Sequence, residues 1–406
     1  DPAYTKEFFY NSDTFDRGDP KKSLQGSSLR YYFGEGILSA HGENWKRQRR
    51  LLIPAFRSTL ALETPVKCCQ RLIDIIDCYL DRPMDILHFM RRTTMDVLGL
   101  AIFGIDFQVT NDGKNEFYTL YSEIVSDFLN PLYLIIPFVN QIYWPARLRA
   151  LQKIDRFETM LADIILKKRH TGEQLGQDIV SSLIREKNGI RHNLTAKEIR
   201  DAVNNILFAG HDTAANALSI LLCHTALHRD VQDRARQETL KVFYRRENFN
   251  QFTEEKLAAL SYSHCVIKES MRVEPVVSVV TSRTNIRPIQ LGKYHIPKGT
   301  KMGVHIFAQH HSPRVWNENA EFRPERFFQK EGDKVPHWMP FAMGPHQCLG
   351  IQFAMREIRV IFAMLLFEYE WYLPSNSIHH SGVKTCMGPV TTTKDLYICF
   401  KKRVAD

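Results

Sequence analysis

The chain has 406 residues, of which 44% are hydrophobic and 24% charged, and its net charge is +9. This length and composition allow a large buried core and exclude a wholly disordered chain. The positive charge suits an acidic protein partner or an anionic membrane surface. Basic residues do not alternate with aromatic residues, so we expect no nucleic-acid partner. The 8 scattered cysteines form no C-x-x-C pair, which favours free thiols in a reducing compartment over a disulfide framework.

The sequence before Pro275 has mainly helical patterning. The clearest helix is predicted at 201–228, which contains no proline and is apolar on most sides, so we expect it to run through the core. Thr195 and Glu198 predict a capping box at its start. A second helix is predicted at 261–273, where the following proline ends it.

After Pro275 short β-prone segments alternate with glycine and proline turns. The predicted segments are 276–280, 289–296 and 302–307. A last helix is predicted at 352–367. The fold class is therefore mainly α with a smaller β part. No linker divides the sequence, so we expect one domain that spans residues 1–406.

The most apolar stretch, residues 128–144, contains two prolines and is shorter than the ~20 residues of a spanning helix. We therefore predict no transmembrane segment in this chain. The composition of the stretch fits two interpretations equally well. It is either a loop that dips into a bilayer or a segment that packs in the core.

Cys348 lies in the glycine-rich segment Phe341-Ala-Met-Gly344-Pro-His346-Gln-Cys348-Leu-Gly350, just ahead of the last helix. A thiolate that binds haem iron is held near the porphyrin by backbone, and glycines on both sides permit that approach. A helix N-terminus directs N–H groups at the sulfur and favours the thiolate. Phe341 is placed to shield the sulfur from water. An isolated cysteine would be interpreted as a buried free thiol, but the surrounding pattern favours a metal ligand.

Two further sets of polar residues carry hypotheses. Glu269 and Arg272 share a helix face, and with Arg326 they would form a buried three-member network. The ordinary alternative for such a pair is a solvated surface contact. Asp212 and Thr213 stand inside an apolar helix, where polar groups are costly to bury without hydrogen bonds. For Thr213, the alternative to a functional role is a hydrogen bond to the preceding turn of its own helix.

Five segments, found in order along the chain, resemble motifs of the cytochrome P450 family. They are Trp45-Lys-Arg-Gln-Arg49, Ala209-Gly210-His-Asp212-Thr213, Glu269-Ser-Met-Arg272, Phe322-Arg-Pro-Glu-Arg326-Phe327 and the segment from Phe341 to Gly350. The resemblance covers essentially the whole chain. It implies the cytochrome P450 fold, with the haem between the long central helix and the cysteine loop with the last helix.

The resemblance also implies haem b as the cofactor, with Cys348 as the axial ligand of its iron. The haem-binding residues that it implies are Trp45, Arg49, Ala209, Gly210, Arg283, Phe341, His346, Cys348 and Gly350. Among them, Trp45, Arg49, His346 and Arg283 are expected to hold the propionates, since anions need cationic or N–H partners. His346 departs from the family pattern, in which arginine is more frequent at this position.

The resemblance assigns catalytic roles to Asp212 and Thr213. Thr213 is expected to hold dioxygen and a water, and Asp212 to relay protons. Glu269, Arg272 and Arg326 are expected to form a structural lock near the cysteine loop.

The pocket walls that the resemblance implies are Phe208, Ala209, Val276, Val277, Val280 and Val390. This mostly aliphatic set favours an apolar lipid, sterol, terpenoid or xenobiotic as the substrate. The expected activity is NADPH-supported insertion of one oxygen atom. Two alternatives stay open: a haem-thiolate isomerase or dehydratase that acts on a peroxide, and a non-catalytic haem-binding protein. The intact Asp212-Thr213 pair argues against both.

The resemblance further implies a place and a partner. Related eukaryotic members are longer, so we expect that an N-terminal membrane anchor and the first strands precede this sequence. The full-length protein is expected on the cytosolic face of the endoplasmic reticulum membrane, with NADPH-cytochrome P450 reductase or a similar electron donor. Basic residues near the thiolate side would steer an acidic donor, unless they form a merely solvated face. They are Lys46, Arg47, Arg50 and Arg356.

Overall fold

A computed structural model describes residues 2–12, 14–16, 28–58, 61–128, 145–170, 176–185, 194–244, 252–328, 337–386, 388 and 390–403. The apolar stretch 128–144 therefore lies, apart from Phe128, outside the described residues. The described helices are α1 (Pro2–Tyr10), α2 (Ser28–Phe33), α3 (Gly42–Ser58), α4 (Glu63–Asp77), α5 (Ile86–Phe103), α6 (Glu116–Phe128), α7 (Pro145–His170), α8 (Ile179–Ile184), α9 (Ala196–Leu227), α10 (Arg229–Val242), α11 (Glu254–Ala259), α12 (Ser261–Val273), α13 (Ile306–His310) and α14 (Ile351–Glu368). The protein is mainly α, as the sequence predicts.

The strands are short and pair only in antiparallel fashion within the described residues. They are β1 (Phe15–Asp16), β2 (Met84–Asp85), β3 (Val279–Asn285), β4 (Ile289–Leu291), β5 (Tyr294–Ile296), β6 (Lys301–His305), β7 (Tyr369–Tyr372), β8 (Thr385–Cys386), β9 (Thr392–Thr393) and β10 (Tyr397–Lys402). Two three-stranded sheets have the orders β1-β3-β6 and β2-β10-β7, and β4-β5 and β8-β9 form hairpins.

The long helix α9 begins at the predicted capping box, ahead of the predicted span 201–228. The Thr195 hydroxyl accepts a hydrogen bond from the Glu198 N–H (3.1 Å), and the Glu198 carboxylate accepts one from the Thr195 N–H (2.9 Å). Both halves of the predicted capping box are therefore present. The helix crosses two groups of buried apolar residues, one with α5, α6 and α7 and the other with α4, α12 and α14. Because it joins both, α9 is the central element of the core.

One finding differs from the expectation that no segment has the character of a spanning helix. Among the described residues, α9 is long and apolar enough to cross a membrane by length and composition, but 72% of its most apolar window is buried inside the protein. Buried core helices are apolar on all sides for the same reason as membrane helices. The apolar composition of α9 is therefore explained by its place in the core.

The predicted β segments are present with shifted ends. Strand β3 begins at Val279, after a stretch in which the Val276 carbonyl accepts a hydrogen bond from the Thr391 N–H (2.7 Å). The second segment is two strands, β4 and β5, joined at Gly292, whose φ of 58° requires a residue that tolerates the left-handed region. The third segment ends early because α13 begins at Ile306.

Candidate functional site

The backbone of the cysteine loop is held by short-range hydrogen bonds and by α1. The Cys348 N–H donates to the Phe341 carbonyl (2.9 Å), and the Gly350 N–H donates to the Cys348 sulfur. Gly344 has a φ of 71°, and a Cβ at this position would lie 2.6 Å from the Phe9 carbonyl oxygen of α1. Glycine is therefore required at 344, both for the backbone conformation and for the contact with α1.

The Cys348 side chain is reachable by solvent, although protein surrounds it closely. Burial raises the pKa of this thiol above its usual value, while the Gly350 N–H and the charge of Arg49 lower it without reversing the shift. The Gly350 N–H at the start of α14 thus lowers the pKa, in the direction that the sequence predicts, but burial outweighs it. Coordination by a metal ion is what deprotonates a thiol in such a place.

Trp45, Arg49 and His346 form a cluster beside Cys348. Helix α3 presents Trp45 and Arg49 one turn apart, on the same face. The Trp45 and His346 rings stack with their centroids 3.8 Å apart and an angle of 26° between planes, and the Arg49 guanidinium lies 5.6 Å from the Trp45 ring centroid. Indole, imidazole and guanidinium groups are all N–H donors. This donor set next to a thiol fits the propionates and iron of a haem.

Arg283 makes its contacts elsewhere. Its side chain is buried and donates hydrogen bonds to the Phe8 and Phe9 carbonyls (2.8 and 3.3 Å), at the C-terminal end of α1. A cation is favourable at the C-terminus of a helix, where carbonyl groups lack partners. In this structure Arg283 caps α1, which in turn contacts Gly344 of the cysteine loop.

The middle of α9 is open to solvent over one short stretch. Ala209 is exposed, and Phe208, Gly210, Asp212 and Thr213 are partly exposed, whereas most other residues of this helix from 201 to 225 are buried. An accessible stretch inside a core helix leaves room for a group that is not part of the chain. Leu349, next to Cys348, packs against the same apolar cluster as Phe208. The cysteine loop and the open stretch therefore border one apolar cluster.

The Thr213 hydroxyl donates to the Ala209 carbonyl of the preceding turn (2.6 Å). This is the contact that the sequence left open as the alternative to a functional role. It uses the hydroxyl proton, and the two lone pairs of the oxygen stay available to accept hydrogen bonds. The contact therefore orients the hydroxyl oxygen and is compatible with binding a water.

Gly210 has a packing role that the sequence did not indicate. A Cβ at this position would lie 3.0 Å from a methyl carbon of Leu98 on α5. The absent side chain therefore allows α5 and α9 to pack closely at this point.

Arg91 of α5 is a residue of the site that the sequence analysis missed. Its Nε donates to Asp212 Oδ1 (2.7 Å). The two residues are 121 positions apart, and Arg91 stands beside a second arginine in an amphipathic sequence. No local spacing marks it, so only the packing of α5 on α9 reveals the pair.

The predicted network of Glu269, Arg272 and Arg326 is present and buried. Arg272 makes two hydrogen bonds to the Glu269 carboxylate (2.8 and 2.9 Å), and Arg326 makes a third (3.0 Å). The Arg323 N–H also donates to Glu269 (2.8 Å). The remaining guanidinium N–H groups of Arg272 bind backbone carbonyls of His310, Asn319 and Glu321. Each buried charge is therefore paired, which is the condition under which such a network is tolerated.

The predicted pocket residues lie in three places. The Val276 carbonyl binds the residue next to Val390, so these two valines are neighbours. Val280 packs against the cluster that contains Phe8 and Phe9 of α1. Phe208 meets Phe33 of α2 edge to face, with ring centroids 4.9 Å apart. None of the six predicted pocket residues is fully buried.

The chain is similar in sequence to known enzymes. The family profile described as Cytochrome P450 matches residues 1–400. A cytokinin hydroxylase from Arabidopsis thaliana is 29% identical over 370 residues, which cover 88% of this chain and 70% of that protein. Cytochrome P450 4F6 from Rattus norvegicus is 30% identical over 378 residues, which cover 86% and 69%. A human ultra-long-chain fatty acid omega-hydroxylase is 26% identical, with 86% and 70% covered.

Solved structures show the same fold. The haem domain of a cytochrome P450DA mutant matches with a TM-score of 0.87 at 20% identity, covering 100% of this chain and 87% of that one. The cytochrome P450 CYP102L1 matches with a TM-score of 0.85 at 25% identity, covering 99% and 91%. Together with the cysteine loop and its donor cluster, these similarities establish that the chain belongs to the cytochrome P450 family and is a haem b-dependent monooxygenase.

Proposed function

We propose that this cytochrome P450 hydroxylates an apolar substrate with electrons that NADPH supplies through a flavoprotein reductase. The observation that carries the proposal is the exposed residue Cys348 beside the N–H donors of Trp45, Arg49 and His346. Two of the similar proteins are named as hydroxylases, one of a cytokinin and one of ultra-long-chain fatty acids. The substrate class that fits the aliphatic pocket residues is a lipid, sterol, terpenoid or xenobiotic.

In this proposal Cys348 would bind the haem iron, and Trp45, Arg49 and His346 would hold the propionates. Bound haem would supply the activation of dioxygen, of which one atom would enter the substrate and the other would leave as water. The residues of the chain exclude bulk water, orient the substrate and deliver protons. The apolar pocket walls exclude water and orient the substrate. Without bulk water, the polar contacts inside the pocket are stronger.

Proton delivery is the proposed task of Thr213 and Asp212. The Thr213 oxygen, oriented by its hydrogen bond to Ala209, accepts a hydrogen bond from a water. Asp212 lies next to it in the chain, and its side chain keeps 13% of its surface accessible. A carboxylate so placed exchanges protons with water and with groups in the pocket.

We further propose an acidic electron donor and a membrane location on the cytosolic face of the endoplasmic reticulum. The donor would meet the basic residues near the thiolate side. Three of these residues already pair with acids of their own surface: Lys46 with Glu43 (2.7 Å), Arg47 with Glu198 and Arg356 with Glu254 (2.9 Å). Lys46 and Glu43 are both exposed, and an exposed pair of this kind is weak, so an acidic partner can exchange for it at low cost.

The test is turnover of the haem-loaded protein with NADPH, a reductase and ¹⁸O₂ on a panel of apolar probes that includes dodecanoic acid, a sterol and a monoterpene. The proposal expects NADPH consumption and a product that carries one ¹⁸O atom. Rearrangement of a lipid hydroperoxide without NADPH would instead identify an isomerase or dehydratase. Failure of every probe to change NADPH consumption would contradict the proposed substrate class.

A further inference from the structure

We propose that Arg91 is a positioning residue for Asp212, which fixes the direction in which this carboxylate presents its reactive oxygen. The inference rests on the proposed role of Asp212 as a proton relay. Arg91 belongs to α5 and Asp212 to α9, and the two meet through a hydrogen bond from Nε to Oδ1 of 2.7 Å. The Asp212 side chain is 13% exposed and the Arg91 side chain 34%, so the carboxylate is largely withdrawn from solvent and the guanidinium is partly exposed. Charged hydrogen bonds withdrawn from solvent are stronger than those on the surface.

The backbone of Arg91 is itself held against α9. Its carbonyl accepts a hydrogen bond from His211 Nε2 (3.0 Å), and the Thr94 hydroxyl lies 3.1 Å from that carbonyl oxygen and 3.3 Å from the carbonyl oxygen of His211. Gly210 allows the two helices to come this close. The backbone of Arg91 is therefore fixed relative to α9, which limits the positions that its side chain can take.

His211 does not compete with Arg91 for the charge of Asp212. Because its Nε2 faces a carbonyl, that nitrogen carries the proton and Nδ1, 3.7 Å from Asp212 Oδ1, is an acceptor. Burial lowers the pKa of His211, so the ring is neutral near neutral pH. Within the described part of the chain, Arg91 is then the cation in contact with this carboxylate.

This geometry distinguishes the two oxygens of Asp212. Oδ1 accepts the hydrogen bond from Arg91, whereas Oδ2 makes no hydrogen bond with the described residues. A proton that arrives on this carboxyl group is therefore accepted and released at Oδ2. Without Arg91 the group is free to rotate about χ2, and both oxygens would take up water instead.

The test compares haem-loaded Arg91→Gln, Arg91→Lys and Asp212→Asn proteins and the double variant with wild type. Arg92→Gln is the matched control, since Arg92 is the adjacent arginine and lies over the Phe89 ring instead of Asp212. Two readouts need no substrate. One is the C–O stretching band of the reduced protein with carbon monoxide, which responds to charges around the ligand. The other is the fraction of NADPH electrons recovered as hydrogen peroxide with a reductase present.

The proposal expects Arg91→Gln to raise the peroxide fraction as Asp212→Asn does, with no further rise in the double variant. The C–O band should shift in opposite directions in the two single variants, because they remove opposite charges. Arg91→Lys should restore most of the wild-type behaviour, and Arg92→Gln should match wild type. The proposal is overturned if Asp212→Asn changes both readouts while Arg91→Gln changes neither. If Asp212→Asn itself changes neither, the relay role fails and the Arg91 role fails with it.

Discussion

Glu357 of α14 shows how burial alters the chemistry of a single side chain. It is 2% exposed, and its Oε1 has no hydrogen-bond partner within the described residues. Burial raises its pKa to about 8 from an ordinary value of 4.5. The folded protein therefore holds Glu357 as a neutral acid up to slightly alkaline pH, because an unpaired carboxylate is costly in the core.

The pKa of Glu357 predicts how the stability of the fold depends on pH. The folded state favours the protonated acid, whereas in the unfolded chain Glu357 ionises at its ordinary pKa of 4.5. The free energy of unfolding therefore falls as the pH rises from about 4.5 to about 8. Glu357→Gln mimics the neutral acid and removes this loss. In thermal unfolding, the melting temperature of the variant relative to that of wild type should be higher at pH 8.5 than at pH 5. The exposed Glu7→Gln is the control, and an equal gain in both variants would contradict the assignment.

For single residues, the sequence identified those that belong to a short motif of neighbouring positions. Cys348, Thr213 and Asp212 were found because each stands in a short segment of characteristic spacing. Arg91 was not found, since its partner is 121 residues away and no pattern connects them. The cap that Arg283 forms on α1 was missed for the same reason, because it depends on tertiary packing.

Among the structural elements, the network around Glu269 joins α12 to the segment that leads to the cysteine loop. Glu269 binds both arginines, and Arg272 binds three backbone carbonyls of that segment. The Met339 N–H also donates to His310 Nε2 (3.0 Å), two residues before Phe341. The chain is thus fixed shortly before the loop that carries the cysteine.

Removing the charge of Glu269 should therefore destabilise the fold strongly. Breaking a buried pair leaves two uncompensated arginines, which costs about 3–5 kcal/mol. Glu269→Gln is expected to lower the free energy of unfolding by this amount in denaturant titrations. The control is Glu318→Gln, which breaks an exposed pair with Arg323 and should cost under about 1 kcal/mol. Similar losses in both variants would show that the network is not a structural lock.

The contact between α1 and the cysteine loop can be tested at Gly344. Gly344→Ala adds a Cβ 2.6 Å from the Phe9 carbonyl, as well as the left-handed backbone cost of about 1–2 kcal/mol. The matched control is Gly299→Ala, with a φ of 85° and no atom within 4 Å of the new Cβ. Both variants should lose stability, but only Gly344→Ala should bind haem more weakly. Equal haem affinity in the two variants would contradict a role for α1 in holding the loop.

Helix boundaries were predicted well because their signals are local. The capping box at Thr195 and Glu198 and the proline after Val273 are read directly from the sequence. Strand ends were predicted less well, since they depend on partners. Strand β3 pairs with β6 only from Val279, because Val276 is bound by a distant segment.

For the whole molecule, the sequence predicted the family and the mainly α fold, because five motifs lie in order along one chain. We infer a single domain, since α9 packs in both groups of buried residues and no described segment separates them. The substrate was not predictable in the same way. Pocket shape depends on the mutual placement of α9, β3 and the β8-β9 hairpin, and no sequence pattern encodes that placement.

The central claim is that Cys348 is the thiolate ligand of a haem iron. The measurement that tests it most directly is the absorption spectrum of the dithionite-reduced, haem-loaded protein with carbon monoxide, against the reduced protein alone. We predict the strongly red-shifted Soret band of a thiolate-ligated haem in wild type and in the exposed-thiol control Cys386→Ser, and its loss in Cys348→Ser. A band at the position typical of histidine-ligated haem in wild type, or an unchanged band in Cys348→Ser, would contradict the account.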